Sequence, residues 1–353
     1  MKYKISLPKL TNFMVKSIIK GIGHYVPENI VTNDDLSKVM TTNDEWITER
    51  TGIKERRHRK NREDQEETTA YYGMKASEKA LAMAGMTAKD VDYIIFATLS
   101  ADYFFPGSGV VLQDMLGCDT IGALDVRNQC SGFVYAMSVA NAFIKSGTYK
   151  NILVVGAEIH SFGLDFTDAG RGVSVIFGDG AGAVIVSASE DDNAGDILAV
   201  NMHSEGKYAE ELAVKFPGSK YGYTDLLLED NTKIQREDIF PHMNGNYVFK
   251  HAVTRFPETM IEALTSAGKT VEDLDMFIPH QANLRISQYV QEKFGLPDEK
   301  VFNNIMKYGN TTAASIPIAL SEAIEQGKVK RGDLVLLSAF GSGFTWGSVL
   351  FEF

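Results

Sequence analysis

Cysteine is scarce in this chain: 353 residues hold two, Cys118 and Cys130. Two thiols exclude a disulfide framework, and without a CxxC pair or an HExxH run the ligand spacings of a zinc site are missing too. Basic charge is also short. Thirty-five Lys and Arg against 46 Asp and Glu leave a formal charge of −11, which excludes general binding along a phosphate backbone, since that calls for a basic stripe. No apolar run of about 18 residues is present to span a bilayer. The opening MKYKISLPKLTNF lacks the apolar core and small-residue cleavage site of a signal peptide. No GxxxxGK[ST] phosphate loop occurs. What remains, with 44% hydrophobic and 23% charged residues, is a folded chain expected in the cytoplasm, without nucleic-acid or membrane partners and without a metal.

What is present is a repeat. AGMTAKDVDYII (84–95) and AGKTVEDLDMFI (267–278) share Ala, Gly, Thr, Asp and Asp at an offset of 183, and each leads into an apolar strand. SGTYKNILVVGAE (146–158) is echoed by QGKVKRGDLVLLSAF (326–340): a glycine-ended helix, a basic turn and a buried strand. GDGAGAVIV and GSGFTWGSVL then close each half. The spacing predicts two similar α/β halves, 14–190 and 191–353, behind a short extension, 1–13. Helices such as 131–145 and 284–294 alternate with buried strands, so the expected packing is helix-sheet-helix-sheet-helix. The polar stretch 207–243, broken by Pro217 and Gly218, reads as an insertion that either caps a site or lies plainly on the surface.

Cys130 precedes a helix whose apolar residues, Phe133, Val134, Met137, Ala140 and Ile144, recur at helical spacing before Gly147. A thiol at a helix N-terminus faces unpaired N–H groups and the dipole's positive end, which would lower its pKa and raise its thiolate fraction. From position alone Cys130 is either a small core residue or a nucleophile, and Cys118, at a turn, is structural. A thiolate attacking an acyl group needs a proton-handling or charge-stabilising partner. His24, His58, His160, His203, His242 and His251 have no evident companion in sequence, whereas His280 follows a buried strand and Pro279, at the end where α/β folds place sites. Asn310, at a glycine turn opening a helix, is either a cap or a donor beside His280 for an enolate oxygen. The glycine turn 339–348 could supply a backbone N–H to a second oxyanion. The run ERTGIKERRHRK (49–60) could hold a phosphorylated molecule or an acidic protein, or be a solvated turn.

Taken in order, Cys130, FGDGAGA (177–183), PHQANLRI (279–286), YGNTTAAS (308–315) and FGSGFTWGS (340–348) resemble β-ketoacyl-acyl carrier protein synthase III, the initiating condensing enzymes of the thiolase superfamily, from about Met14 to Phe353. The resemblance implies a duplicated thiolase fold, a homodimer, and a decarboxylating condensation of an acyl-CoA with malonyl-acyl carrier protein through an acyl-cysteine, with no cofactor beyond these thioesters. It implies Cys130, His280 and Asn310 as the catalytic triad, with the amides of Cys130 and Ser342 as oxyanion hole. Trp46, Arg50 and Arg171 would hold CoA, while Asn246 and Phe249 would line the pantetheine tunnel. Phe105, reaching across the dimer, Phe177 and Phe340 would shape the acyl pocket, and Arg285 and Lys293 would meet the carrier protein. The departures are Asn128 and Gln129 where an alanine-rich run usually surrounds the nucleophile, Ser342 where glycine is common, and Glu292 where a basic residue is common. They bear on the acyl group, so the rival expectation is a paralogue of secondary metabolism taking longer or β-keto acyl groups. From another class, a non-catalytic acyl-binding relative would have no use for an intact triad.

Overall fold

The computed structural model describes residues 15–61, 65–220 and 234–353. The expected extension 1–13, and 221–233 of the expected insertion, lie outside the described residues. The first sheet takes β1 (Lys16–Tyr25), β2 (Tyr93–Ala97), β3 (Gly122–Val126), β4 (Asn151–Glu158) and β5 (Gly180–Ser189) in the order β1-β5-β4-β2-β3. Strands β2, β3 and β4 run parallel, and β5 is antiparallel to both its neighbours. The second sheet takes β6 (Ile197–Ser204), β7 (Met276–Pro279), β8 (Leu334–Gly341) and β9 (Thr345–Glu352) in the order β7-β8-β9-β6, with β7 and β8 parallel. Strands such as β8, LVLLSAFG, lack polar alternation because both faces are covered, and each of its residues is buried.

The covering helices are α1 (Asp44–Thr51), α2 (Thr69–Ala84), α3 (Ser108–Met115), α4 (Gly132–Lys145), α5 (Gly245–Ser266), α6 (Leu284–Phe294) and α7 (Ser315–Glu325). Between the sheets, Phe133 and Met137 of α4 and Ile316 and Leu320 of α7 pack with Ile95 and Val154 on one side and Ile278 and Leu337 on the other. Successive strand residues point to opposite faces. Ile94 and Phe96 therefore meet Tyr72 and Ala76 of α2 and Leu112 of α3, while Phe277 and Leu336 meet Phe256 of α5 and Val290 of α6. The result is the five-layer thiolase arrangement.

The repeated segment folds the same way twice. Gly85 and Gly268 turn the chain out of α2 and α5 in the left-handed region, φ 65° and 64°. Thr87 N–H and Thr270 N–H each donate to the aspartate three residues on, Asp90 and Asp273, at 2.8 Å. Asp92 then accepts from the amides of Lys150 and Asn151, and Asp275 from Leu334, tying each crossover to the start of the neighbouring strand. Of the 207–243 segment, Leu212–Ala213 pairs with His242–Met243.

Candidate active site

Cys130 stands two residues ahead of α4, whose buried face packs in the core between the two sheets. The end of β8 passes so close that a Cβ on Gly341 would lie 2.4 Å from Cys130 Cβ, which only glycine avoids. That approach brings the Ser342 amide to Sγ, joined by the amide of Cys130 itself and the Asn310 carboxamide. The Ser342 hydroxyl donates elsewhere, to the Leu212 carbonyl. The expected thiolate is corrected here. Burial first, and the Glu158 carboxylate second, push the Cys130 thiol up to about 12, against the downward pull of the two amides and Asn310. A helix dipole is worth about 0.3–1 kcal/mol, less than one pKa unit at about 1.4 kcal/mol each, so it does not offset full burial. The resting group is a thiol.

His280 follows β7 directly, its N–H donating to Ser338 of β8 at 2.8 Å. Its Nδ1 lies 2.6 Å from Ser315 Oγ, which also receives the Gln281 N–H at 3.4 Å. A Ser315 hydroxyl that donates to Nδ1 places the ring proton on Nε2. Nε2 is buried and has no partner among the described residues. Burial lowers the His280 pKa to about 3, so the imidazole is neutral. Asn310 is pinned by backbone hydrogen bonds to Ile176 and Gly178, bridging Phe177. Its side-chain oxygen accepts from Thr312 N–H at 2.8 Å, which turns the NH₂ toward Sγ. Capping and donating are thus one arrangement.

These three residues lie at the buried end of a cavity of about 390 Å³ that Trp46, Arg50, Phe177, Asn246, Phe249, Arg285 and Phe340 also line. Exposed Arg50, Asn246 and Arg285 mark its mouth. There α1 is started by Asn43, whose side chain accepts from Trp46 N–H at 2.7 Å, and ended by Gly52 at φ 78°. Arg50 and Arg171 stack over the Trp46 ring, at 4.5 and 4.9 Å from its centroid. Asn283 caps α6 and donates to the Arg50 carbonyl at 2.9 Å, fixing α6 to α1. Arg285 and Lys293 are exposed on α6, Arg285 also lying over Phe249.

Most of the basic run and Phe105 stand apart from the cavity within a single chain. Of the run 49–60 only Arg50 and Thr51 line the cavity. Arg56 is fully buried and donates to the Val31 and Val175 carbonyls, its pKa lowered to about 10 by burial, and Arg57 pairs with Glu55 at 3.0 Å. The run as a whole is therefore not a phosphate patch; its inner arginines tie backbone together. Phe105 is 81% exposed and lines neither cavity at Cys130.

Three residues were missed. Glu158, at the end of β4, is fully buried and accepts from the Ser100 hydroxyl at 2.7 Å, from Thr98, from the Leu99 N–H and from Thr312. Burial pushes its carboxyl up to about 7 despite these donors. Thr312 holds a left-handed φ of 45° and meets His160 Nε2 at 3.1 Å. His160 stacks on Phe177 at 4.6 Å, with its pKa lowered to about 4 by burial. The signal available was position: Glu158 and His160 leave a parallel strand at its C-terminal end, as His280 does.

The family model described as 3-oxoacyl-[acyl-carrier-protein (ACP)] synthase III matches residues 124–206, and that of its C-terminal part matches 264–353. The β-ketoacyl-[acyl-carrier-protein] synthase III of Aquifex aeolicus is 47% identical over 335 residues, 95% of this chain and 99% of that protein. That of Campylobacter jejuni is 43% identical over 96% and 98%. A crystal structure of the 3-oxoacyl-[acyl-carrier-protein] synthase III of Aquifex aeolicus superposes with a TM-score of 0.85 at 45% identity, covering 96% of this chain and all of that one.

Proposed function

We propose, since the chain belongs to the β-ketoacyl-[acyl-carrier-protein] synthase III family, that it condenses an acyl-CoA primer with malonyl-acyl carrier protein and so initiates fatty acid synthesis. In the first stage Cys130 Sγ attacks the thioester carbonyl, with the amides of Cys130 and Ser342 donating to the oxyanion. The bond from acyl carbon to the CoA sulfur breaks, and the thiol proton leaves with CoA. In the second, malonyl-acyl carrier protein loses CO₂, and its enolate oxygen accepts from His280 Nε2–H and Asn310 NH₂. The enolate carbon attacks the acyl-cysteine, the Sγ–C bond breaks, and Cys130 regains a proton from solvent. A neutral imidazole with its proton on Nε2 suits a donor to an enolate; it does not suit a base.

The observation that carries this reading is convergence: Cys130, His280 and Asn310 line one cavity whose mouth holds Trp46 and Arg50. Trp46 with Arg50 and Arg171 would take the adenine and phosphates of CoA, Asn246 and Phe249 the pantetheine arm, and Arg285 with Lys293 an acidic carrier protein. The two thioesters are the only cosubstrates. Tyr103, Phe104 and Phe105, all exposed, would be covered by a second copy in a cytoplasmic homodimer, with Phe105 reaching the partner's acyl pocket. The two stages separate by mutation. Cys130→Ala should take up no acyl group yet still release CO₂ from malonyl-acyl carrier protein. His280→Ala and Asn310→Ala should load acyl groups and lose decarboxylation by about 10²–10³-fold. Loss of loading in all three, with the fold intact, would sink the division of roles.

A further inference from the structure

Cys130, Phe177 and Leu212, which line the first cavity, also line a second one of about 200 Å³ that takes in none of the mouth residues Arg50, Asn246 and Arg285. Leu99, Phe177 and Val214 line it, but so do Arg127, Gln129, His160 and Thr312. His160 is only 7% exposed, and its partners settle how it is protonated. The Thr312 hydroxyl donates to Glu158, so Thr312 Oγ1 accepts from His160 Nε2–H at 3.1 Å. That leaves Nδ1 as an acceptor which no protein group among the described residues meets, on a ring that lines the cavity. The side chains of Gln129 and Arg127 likewise find no protein acceptor among the described residues. A hydrocarbon chain would strip water from His160 and Gln129 and replace nothing, whereas an oxygen-bearing chain restores a hydrogen bond to each; Arg127 is exposed at the rim.

We propose that this chamber, given the reading of Cys130 as the acyl-carrying thiol, selects a short acyl primer bearing a hydroxyl or carbonyl oxygen, which hydrogen-bonds to His160 and Gln129. The volume equals roughly seven waters at ~30 Å³ each, room for a four-carbon acyl group with one added oxygen. Nδ1 as acceptor favours a hydroxyl there, and the Gln129 NH₂ a carbonyl. Loading is thioester exchange: Sγ bonds to the acyl carbon, the CoA sulfur departs, and the thiol proton goes with it.

The test is a competition on the full chain with equal butyryl-CoA, acetoacetyl-CoA and 3-hydroxybutyryl-CoA, quenched in time and read by intact mass. The oxygenated acyl groups should load faster than butyryl by at least about tenfold. His160→Leu should abolish that ratio, and His160→Asn, which keeps an acceptor, should retain much of it. Equal or faster loading of butyryl, or a ratio that His160→Leu leaves unchanged, overturns the proposal. Should the protein take up no acyl group at all, it is the reading of Cys130 that fails, a result distinct from an inverted preference.

Discussion

Glu158 raises the thiol it never touches. Its carboxyl ionises near pH 7, and the charge then disfavours a thiolate at Cys130 across a dry interior where such repulsion is weakly screened. Glu158→Gln removes the charge at nearly constant volume. Alkylation of Cys130 by iodoacetamide at pH 8, mapped by mass to separate it from Cys118, is expected to speed up several-fold. An unchanged rate would show that burial alone sets the thiol. This coupling was not legible in the sequence, where Glu158 and Cys130 lie in different motifs and His160 meets Thr312 152 positions away. Local chemistry marks the junctions where Cys130, His280 and Asn310 sit, a helix start, a strand end after proline and a glycine turn, but position alone leaves Cys130 and Asn310 open, and it is the resemblance carried by their motifs in order that names the three as a triad. The resting thiol's protonation was misjudged because a dipole can be counted from sequence, whereas burial requires the opposite half of the molecule.

Among elements, the join of β8 to α4 carries the site. Gly341 lets the strand end approach the nucleophile, so Gly341→Ala should displace Cys130 or the Ser342 amide. Acyl loading should fall at least about 100-fold for a stability cost of about 1–3 kcal/mol, read as loading rate beside thermal midpoint. Wild-type loading by the alanine variant would mean the contact is slack. Helices 131–145 and 284–294 were expected nearly where α4 and α6 stand, since apolar periodicity and glycine stops are local. The basic run stayed open for the complementary reason: which arginine faces a cavity and which turns inward to carbonyls depends on β-pairing of Ile30–Thr32 with Glu55–Arg57, a long-range contact.

For the whole molecule, five buried layers make the interior's titration a stability term. His280 and His160 are neutral when folded, with pKa values near 3 and 4, and titrate near 6.5 when unfolded. Their depressed values contribute stability that is present above about pH 6.5 and lost as pH falls, about 2 kcal/mol per site at pH 5. Glu158 acts oppositely: its raised pKa contributes stability present below the ordinary carboxylate range and lost as pH rises through about 7. Between pH 7 and 5 it therefore offsets about one histidine, and the net loss is on the order of 2 kcal/mol. Thermal midpoints should fall modestly over that interval in the wild type and more steeply in Glu158→Gln. Parallel slopes would contradict the assignment.

The acyl-cysteine itself gives the most direct test of the central claim. The purified chain is incubated with an acyl-CoA, digested, and the acyl mass mapped; malonyl-acyl carrier protein is then added to a second aliquot. The account predicts one acyl group on the peptide holding Cys130, discharged on addition of the second substrate as CO₂ and a 3-oxoacyl-carrier protein appear in equal amounts. An acyl group elsewhere, or one on Cys130 that malonyl-acyl carrier protein leaves in place, would contradict it.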